Sequence, residues 1–181
     1  MKRIFFIILF LGTISYGQNK FITKTGTINF EASVPSFEEV AAKNNSVTVI
    51  INTENGEIAA LALVKAFRFK NALMEEHFNE NYAESDKFPK ATFKGKLLDF
   101  SIEKLSGTTN LFIAGELEFH GITKQFAKIP VSLEYIKDKI ILSGNFSAKA
   151  SDFDIKIPKI VQSKVKDEVQ ITFNFELLKK Q

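Results

Sequence analysis

The chain has 181 residues, no cysteine, 19 phenylalanines and no tryptophan, and its 24 basic and 21 acidic side chains leave a formal charge of +3. A disulfide framework is therefore excluded, and charges spread so evenly offer no basic stripe for a nucleic acid. The slight basic excess allows a transient contact with an anionic membrane surface, and nothing in the composition opposes a homodimer.

Residues 1–17 read as an export leader. Lys2 and Arg3 make a basic start, Ile4–Ile14 is almost wholly apolar, and Ser15-Tyr16-Gly17 puts small residues at the −3 and −1 positions before Gln18. The apolar stretch is shorter than the roughly 20 residues a spanning helix needs. No cysteine stands near the cut, which excludes a lipid-anchored lipoprotein. Residues 18–181 are then expected as one domain outside the cytoplasm, periplasmic or secreted, after cleavage near Gly17.

From residue 20 onward, strand-like segments alternate with turn signals. The first covers Lys20–Ser33, with Ile28 and Phe30 on one face. A short helix is expected next: Ser36 and Glu39 have capping-box spacing, and Phe37, Val40 and Ala41 make a helical stripe. Val47–Thr53 is a second strand, closed by an Asn55-Gly56 turn. Glu57–Lys70 reads as one long third strand. Asn71–Glu84 has helical spacing, with Met74, Phe78 and Tyr82 on one side, and Pro89 ends the excursion. Further strands are expected over Ala91–Ile102, Thr108–His120, Thr123–Tyr135, Lys139–Ala150 and Val165–Leu177, with a loop over Asp152–Gln162. Eight antiparallel strands with one apolar face each bury those faces together in an all-β up-and-down barrel, or in a two-sheet sandwich.

The inward faces mix bulky residues with very small ones. Phe93, Gly95 and Leu97 alternate on one strand, Gly115, Leu117 and Phe119 on the next, and Gly144, Phe146 and Ala148 on a third. A mid-strand glycine fills nothing. Two readings follow: the three glycines open a lumen lined by phenylalanine, or they let the barrel bend at its corners. On the first, Phe93, Gly95, Gly115, Leu117, Phe119, Gly144, Phe146, Phe173 and Phe175 are lining candidates for an apolar ligand, and Phe67, Phe69, Met74 and Phe78 guard its mouth. Gly115→Leu is then expected to fill the lumen while the barrel still folds.

Little points to catalysis. No HxH, HExxH or cysteine cluster exists for a metal, no nucleophile elbow accompanies either histidine, and the nine glycines form no phosphate loop. His120, next to Gly121, reads as a hairpin-turn residue with no catalytic role. His77 reads as seating its helix at the barrel mouth or meeting the polar end of a ligand. Asp152 and Asp154 lack the spacing and closing glutamate of a calcium loop; they read as a barrel-rim loop with Phe153 tucked in and both acids solvated. The expectation is a binding protein without a cofactor, not an enzyme.

Three blocks then carry a family resemblance. They are Phe119-His120-Gly121-Ile122-Thr123-Lys124; His77-Phe78 followed by Lys87-Phe88-Pro89-Lys90-Ala91-Thr92-Phe93; and Ser151-Asp152-Phe153-Asp154-Ile155 with Pro158 and Asp167-Glu168-Val169. In this order they resemble the YceI-like family over most of residues 20–178. The resemblance implies a lipocalin-like, eight-stranded antiparallel barrel with one or two short helices, exported and often periplasmic. It also implies a long apolar lipid in the lumen, a polyisoprenoid or a fatty-acid-like molecule. The chain departs from the pattern twice. Asn71–Phe78 lacks an Arg-Asp pair common in the family, and Asp154 stands where many members have glycine, a position aspartate can fill in the left-handed conformation. The resulting expectation is a carrier, store or sequestering protein for such a lipid. Two alternatives stand beside it: a filled barrel that binds protein or the membrane surface and acts in envelope stress or assembly, and a hydrolase or lipid-modifying enzyme that uses His77 or His120.

Overall fold

The computed structural model describes residues 19–35, 37–105 and 107–180, so the leader read over residues 1–17 lies outside the described residues. Nine strands alternate with short helical pieces: β1 (Lys20–Ser33), β2 (Ala41–Asn52), β3 (Glu57–Leu63), β4 (Arg68–Phe69), helix α1 (Ala72–His77), β5 (Lys90–Leu97), β6 (Thr108–Phe119), β7 (Ile122–Ile136), β8 (Lys139–Lys149) and β9 (Val165–Lys179). The sheet order is β1-β9-β8-β7-β6-β5-β3-β2, and β1 pairs with β2, so the sheet closes into an antiparallel barrel of eight main strands. Closure leaves no long free edge. The two-residue β4 adds to β2 at Ala42 and Lys43.

Three expected elements differ. No helix lies between β1 and β2 among the described residues; Ser36, the expected cap, is outside them. There the chain reverses from one strand to the next. Ala32 N–H donates to Val40 O at 2.9 Å, and Val40 N–H donates to Ser33 Oγ at 3.0 Å. These bonds draw Val40 alongside Ala32 and Ser33, and Ala41 already belongs to β2. The long third strand is broken at Val64–Ala66 by a tight turn in which Val64 is buried and its N–H donates to Pro89 O at 2.9 Å. That turn swings the chain off β5 and onto the end of β2. The next strand stops at Leu97, where Asp99 takes a left-handed φ of 55°.

The helical stretch begins as read. Asn71 caps α1, its side chain accepting from Leu73 N–H and Met74 N–H. The turn over Phe78–Tyr82 then widens, with Ala83 N–H donating to Phe78 O at 2.8 Å. The hairpin between β6 and β7 turns on His120 and Gly121, both at positive φ, 51° and 74°, the pairing that a two-residue hairpin of right-twisted strands demands.

The barrel interior has two unlike ends. At the end carrying the β2–β3 and β7–β8 turns, Phe21, Val49, Ile51, Leu97, Leu133, Ile140, Leu142 and Leu177 are at most 2 % exposed and pack into a solid plug. The other end carries the β1–β2 loop, α1, the His120 hairpin and the connection from β8 to β9. No plug closes that end.

Candidate functional site

A cavity of about 410 Å³ opens at the unplugged end. Its floor is Ile58, Ile113, Ile129 and Phe175, and its walls are Ile28, Ala60, Phe93, Leu117, Phe146 and Phe173. The walls are almost wholly apolar because each strand sends alternate residues inward. Such a volume falls within the range of small-molecule sites.

Ten of the thirteen residues singled out from the sequence line this cavity: Phe67, Phe69, Met74, Phe78, Phe93, Leu117, Phe119, Phe146, Phe173 and Phe175. Gly95, Gly115 and Gly144 do not. Gly95 and Gly115 face each other across β5 and β6, and the Phe93 ring lies over both. A Cβ on Gly95 would stand 2.7 Å from that ring, and one on Gly115 would stand 2.4 Å from Lys94 O. Gly144 faces Phe173 across β8 and β9, whose ring would stand 2.6 Å from an added Cβ. The glycines thus let aromatic rings fold down onto the sheet. They do not themselves open the lumen. Gly115→Leu would accordingly drive a side chain into backbone, and the expectation that it fills the lumen of a folded barrel is corrected.

At the mouth, Phe30, Phe67, Phe69 and Phe78 form one ring cluster. Phe30 sits 5.3 Å from Phe67 and from Phe78 and 5.7 Å from Phe69, centroid to centroid, at tilted or edge-on angles. Such pairs add about 0.5–1.5 kcal/mol each beyond area burial. The cluster seats the helical excursion against β1. Ion pairs follow the same seam, Arg68 to Glu75 at 2.6 Å and Lys70 to Glu39. Asn71, standing in the segment where the family's Arg-Asp pair is missing, spends its carbonyl on the α1 cap and donates its amide to Glu38 at 3.0 Å. Met74, Phe78 and Tyr82, the expected helical stripe, all face the cavity, and exposed His77 joins them at the rim.

His120 does more than turn the hairpin. Its side chain is only 11 % exposed. Nδ1 lies 2.9 Å from Phe153 O, and Nε2 lies 2.8 Å from Glu84 Oε2. A carbonyl only accepts, so Nδ1 is the donor there. The Phe88 ring closes on the imidazole at 4.5 Å. With both nitrogens engaged, His120 is a clamp that ties the hairpin to the rim loop and to the end of the helical excursion. Phe153 is buried and lines the cavity, as the rim-loop reading expected, and Asp154 follows it in the left-handed conformation at φ 56°. Asp152, expected as a solvated acid, is instead half-buried and paired with Lys124 of the hairpin, while Asp154 stays exposed.

Sequence reasoning did not single out the floor residues Ile58, Ile113 and Ile129 or the wall residue Ala60, and it missed two groups nearer the mouth. Ile28 and Phe30 were visible as one face of β1. Ile155, Ile157 and Val161 come from the connection read as a plain loop. Their Ile-Lys-Ile alternation is the signal that one side of that loop is wetted and the other is not.

No curated protein matches this chain in sequence. Among solved structures, it is similar to a polyisoprenoid-binding domain from Saccharophagus degradans implicated in plant cell wall breakdown, at a TM-score of 0.75 and 12 % identity over 90 % of this chain and 99 % of that one. It is similar to BcnA of Burkholderia cenocepacia at a TM-score of 0.69 and 16 % identity, covering 84 % of this chain and 95 % of that one. The YceI protein of Campylobacter jejuni superposes at a TM-score of 0.60 and 17 % identity, over 75 % and 81 %. At such identities these likenesses establish the barrel alone. The family follows from the sequence itself: residues 13–177 match the YceI-like domain, and the chain belongs to that family.

Proposed function

We propose that the protein is exported and holds a long apolar chain, best a polyisoprenoid, in the open half of its barrel, for carriage, storage or sequestration. The observation that carries this reading is the blind cavity of about 410 Å³, plugged below and walled by phenylalanine. A flexible chain enters such a tube end first. Each methylene taken from water contributes about 0.8 kcal/mol before ordering costs are subtracted. The walls offer no array of donors and acceptors to a polar molecule; polar groups gather at the rim, at Glu38, His77, Tyr82 and Lys149. The polyisoprenoid named for the Saccharophagus domain supports the choice of ligand class.

The competing reading, a barrel filled throughout that works through protein contacts, needs a packed interior, and the cavity disfavours it. Among the similar structures, the Saccharophagus domain is named for binding a polyisoprenoid, which favours the binding reading over an enzymatic one. His120, the group nearest to a catalytic candidate, spends both nitrogens on structure.

The test is native mass spectrometry with organic extraction of the protein purified from an exporting host. A co-purifying lipid of discrete mass is expected, and its mass names the class. A protein that carries no lipid and takes up neither added prenols nor fatty acids overturns the proposal.

A further inference from the structure

The connection that closes the mouth on one side, together with the first two residues of β9, spans Ile155–Lys166 and reads IKIPKIVQSKVK: four lysines and no acid in a stretch that also holds five β-branched apolar residues. Its two sides are differently employed. Ile155, Ile157 and Val161 line the cavity, while Lys156, Lys159 and Ile160 face out, and Ile160 is 85 % exposed. Lys164 and Lys166 stand where the cavity meets the surface. Among the described residues, none of these four lysines belongs to an ion pair.

The loop holds itself in this shape. Val161 N–H donates to Pro158 O at 2.9 Å, Lys164 N–H to Val161 O at 2.8 Å, and Gln162 Nε2 to Ile157 O at 3.1 Å. These bonds keep Ile160 at the tip and away from the core. On neighbouring parts of the same rim, Leu73 of α1 is 56 % exposed and Phe37 of the β1–β2 loop is 49 % exposed. Large apolar side chains this exposed, set among lysines at the mouth of an apolar cavity, suit a surface that is itself anionic outside and apolar beneath.

We propose that the Ile155–Lys166 lip docks the barrel mouth onto a lipid bilayer carrying anionic headgroups. Lys156, Lys159, Lys164 and Lys166 meet the headgroups, and Ile160 enters the acyl boundary, as apolar tips of interfacial segments do. Ile155 and Ile157 then continue the apolar path from the bilayer to the cavity floor, so a lipid tail passes between them without crossing water. The purpose of this lip rests on the lipid-binding reading, but its test does not.

The experiment is flotation of the purified protein with phosphatidylcholine vesicles, with and without phosphatidylglycerol, alongside uptake of a dissolved fluorescent prenol in the absence of vesicles. The wild-type protein is expected to float only with the anionic vesicles and to be released by high salt, which shortens the screening length. The double variant K156Q/K159Q is expected to lower partitioning about 25-fold, roughly fivefold for each lysine. I160S is expected to lower it about tenfold. Both variants change exposed residues, so prenol uptake should stay at the wild-type level. Flotation without prenol uptake would leave the lip standing and sink the cavity reading. Absence of flotation with anionic vesicles, or wild-type flotation of K156Q/K159Q, overturns the docking proposal whatever the cavity binds.

Discussion

Ala60 offers the most direct test of the cavity. It lies in the middle of β3, faces the cavity and pairs across the sheet with Phe93. In Ala60→Phe a ring enters the tube without touching the backbone ladder. A cavity of about 150 Å³ accepts one benzene, so the new ring takes roughly a third of the 410 Å³ available. If it keeps about four methylenes of a lipid chain outside, the loss is near 3 kcal/mol, or about two hundredfold in affinity. The assay is displacement of a fluorescent prenol analogue, with the thermal midpoint measured in parallel to confirm the fold. A folded Ala60→Phe protein that binds within about threefold of wild type would refute the assignment of this cavity as the lipid site.

Leu142 belongs to the plug below the floor and is fully buried; Leu142→Ala is expected to cost about 3 kcal/mol and to lower the thermal midpoint by roughly 6–12 °C, with prenol affinity unchanged. Gly115→Ala sets a Cβ against Lys94 O and the Phe93 ring; urea titration should show a loss of about 1–3 kcal/mol, and wild-type stability would contradict the close approach of β5 and β6. His120→Asn keeps a residue that tolerates the left-handed backbone but removes the clamp on Phe153 O and Glu84; a loss of about 1–3 kcal/mol and faster tryptic cleavage at Lys156 and Lys159 are expected, and unaltered cleavage would show that the clamp does not hold the lip.

Much of the barrel was legible because alternation is the direct signature of a strand with one wet and one dry face. Val169, Ile171, Phe173, Phe175 and Leu177 fall on one side of β9, and the structure sends the first four to the cavity and the last to the plug. What alternation does not encode is depth along the barrel axis. Leu97 and Phe93 share one inward face, yet one is plug and the other is cavity wall, because strand register decides height and register is a tertiary property. The glycines misled for a related reason. A glycine on an inward face signals missing volume, but whether that volume stays empty depends on the rings beside it, and Phe93 and Phe173 take it. The helix expected after Pro35 rested on a local stripe that the strand pairing at Ala32 and Val40 overrode. His120 was placed correctly in the turn, while its partners Phe153 and Glu84 lie more than thirty residues away, beyond any local pattern.

The division of the interior into plug and cavity also bears on how a chain gets in. The plug stabilises the barrel without help from a ligand, since each large apolar side chain buried there contributes about 1.5–3 kcal/mol. The mouth can then remain hollow without unfolding the sheet. Its two sides are not equally fixed. The helical side is tied to the barrel by four clustered phenylalanines, by the Arg68–Glu75 and Lys70–Glu39 pairs and by Asn71 on Glu38. The middle of the lip bonds chiefly to itself; it is held at its two ends, at the root where His120 holds Phe153 and Ile155 N–H donates to Ala150 O at 3.1 Å, and at Val165, which pairs with Ser33 of β1. Opening the helical side breaks a ring cluster and several polar contacts together; lifting the middle of the lip, with its ends still held, uncovers Ile155, Ile157 and Val161. The lower barrier therefore lies at the lip, the same side that carries the unpaired lysines and Ile160, so the route by which a tail enters and the surface that would face a bilayer coincide.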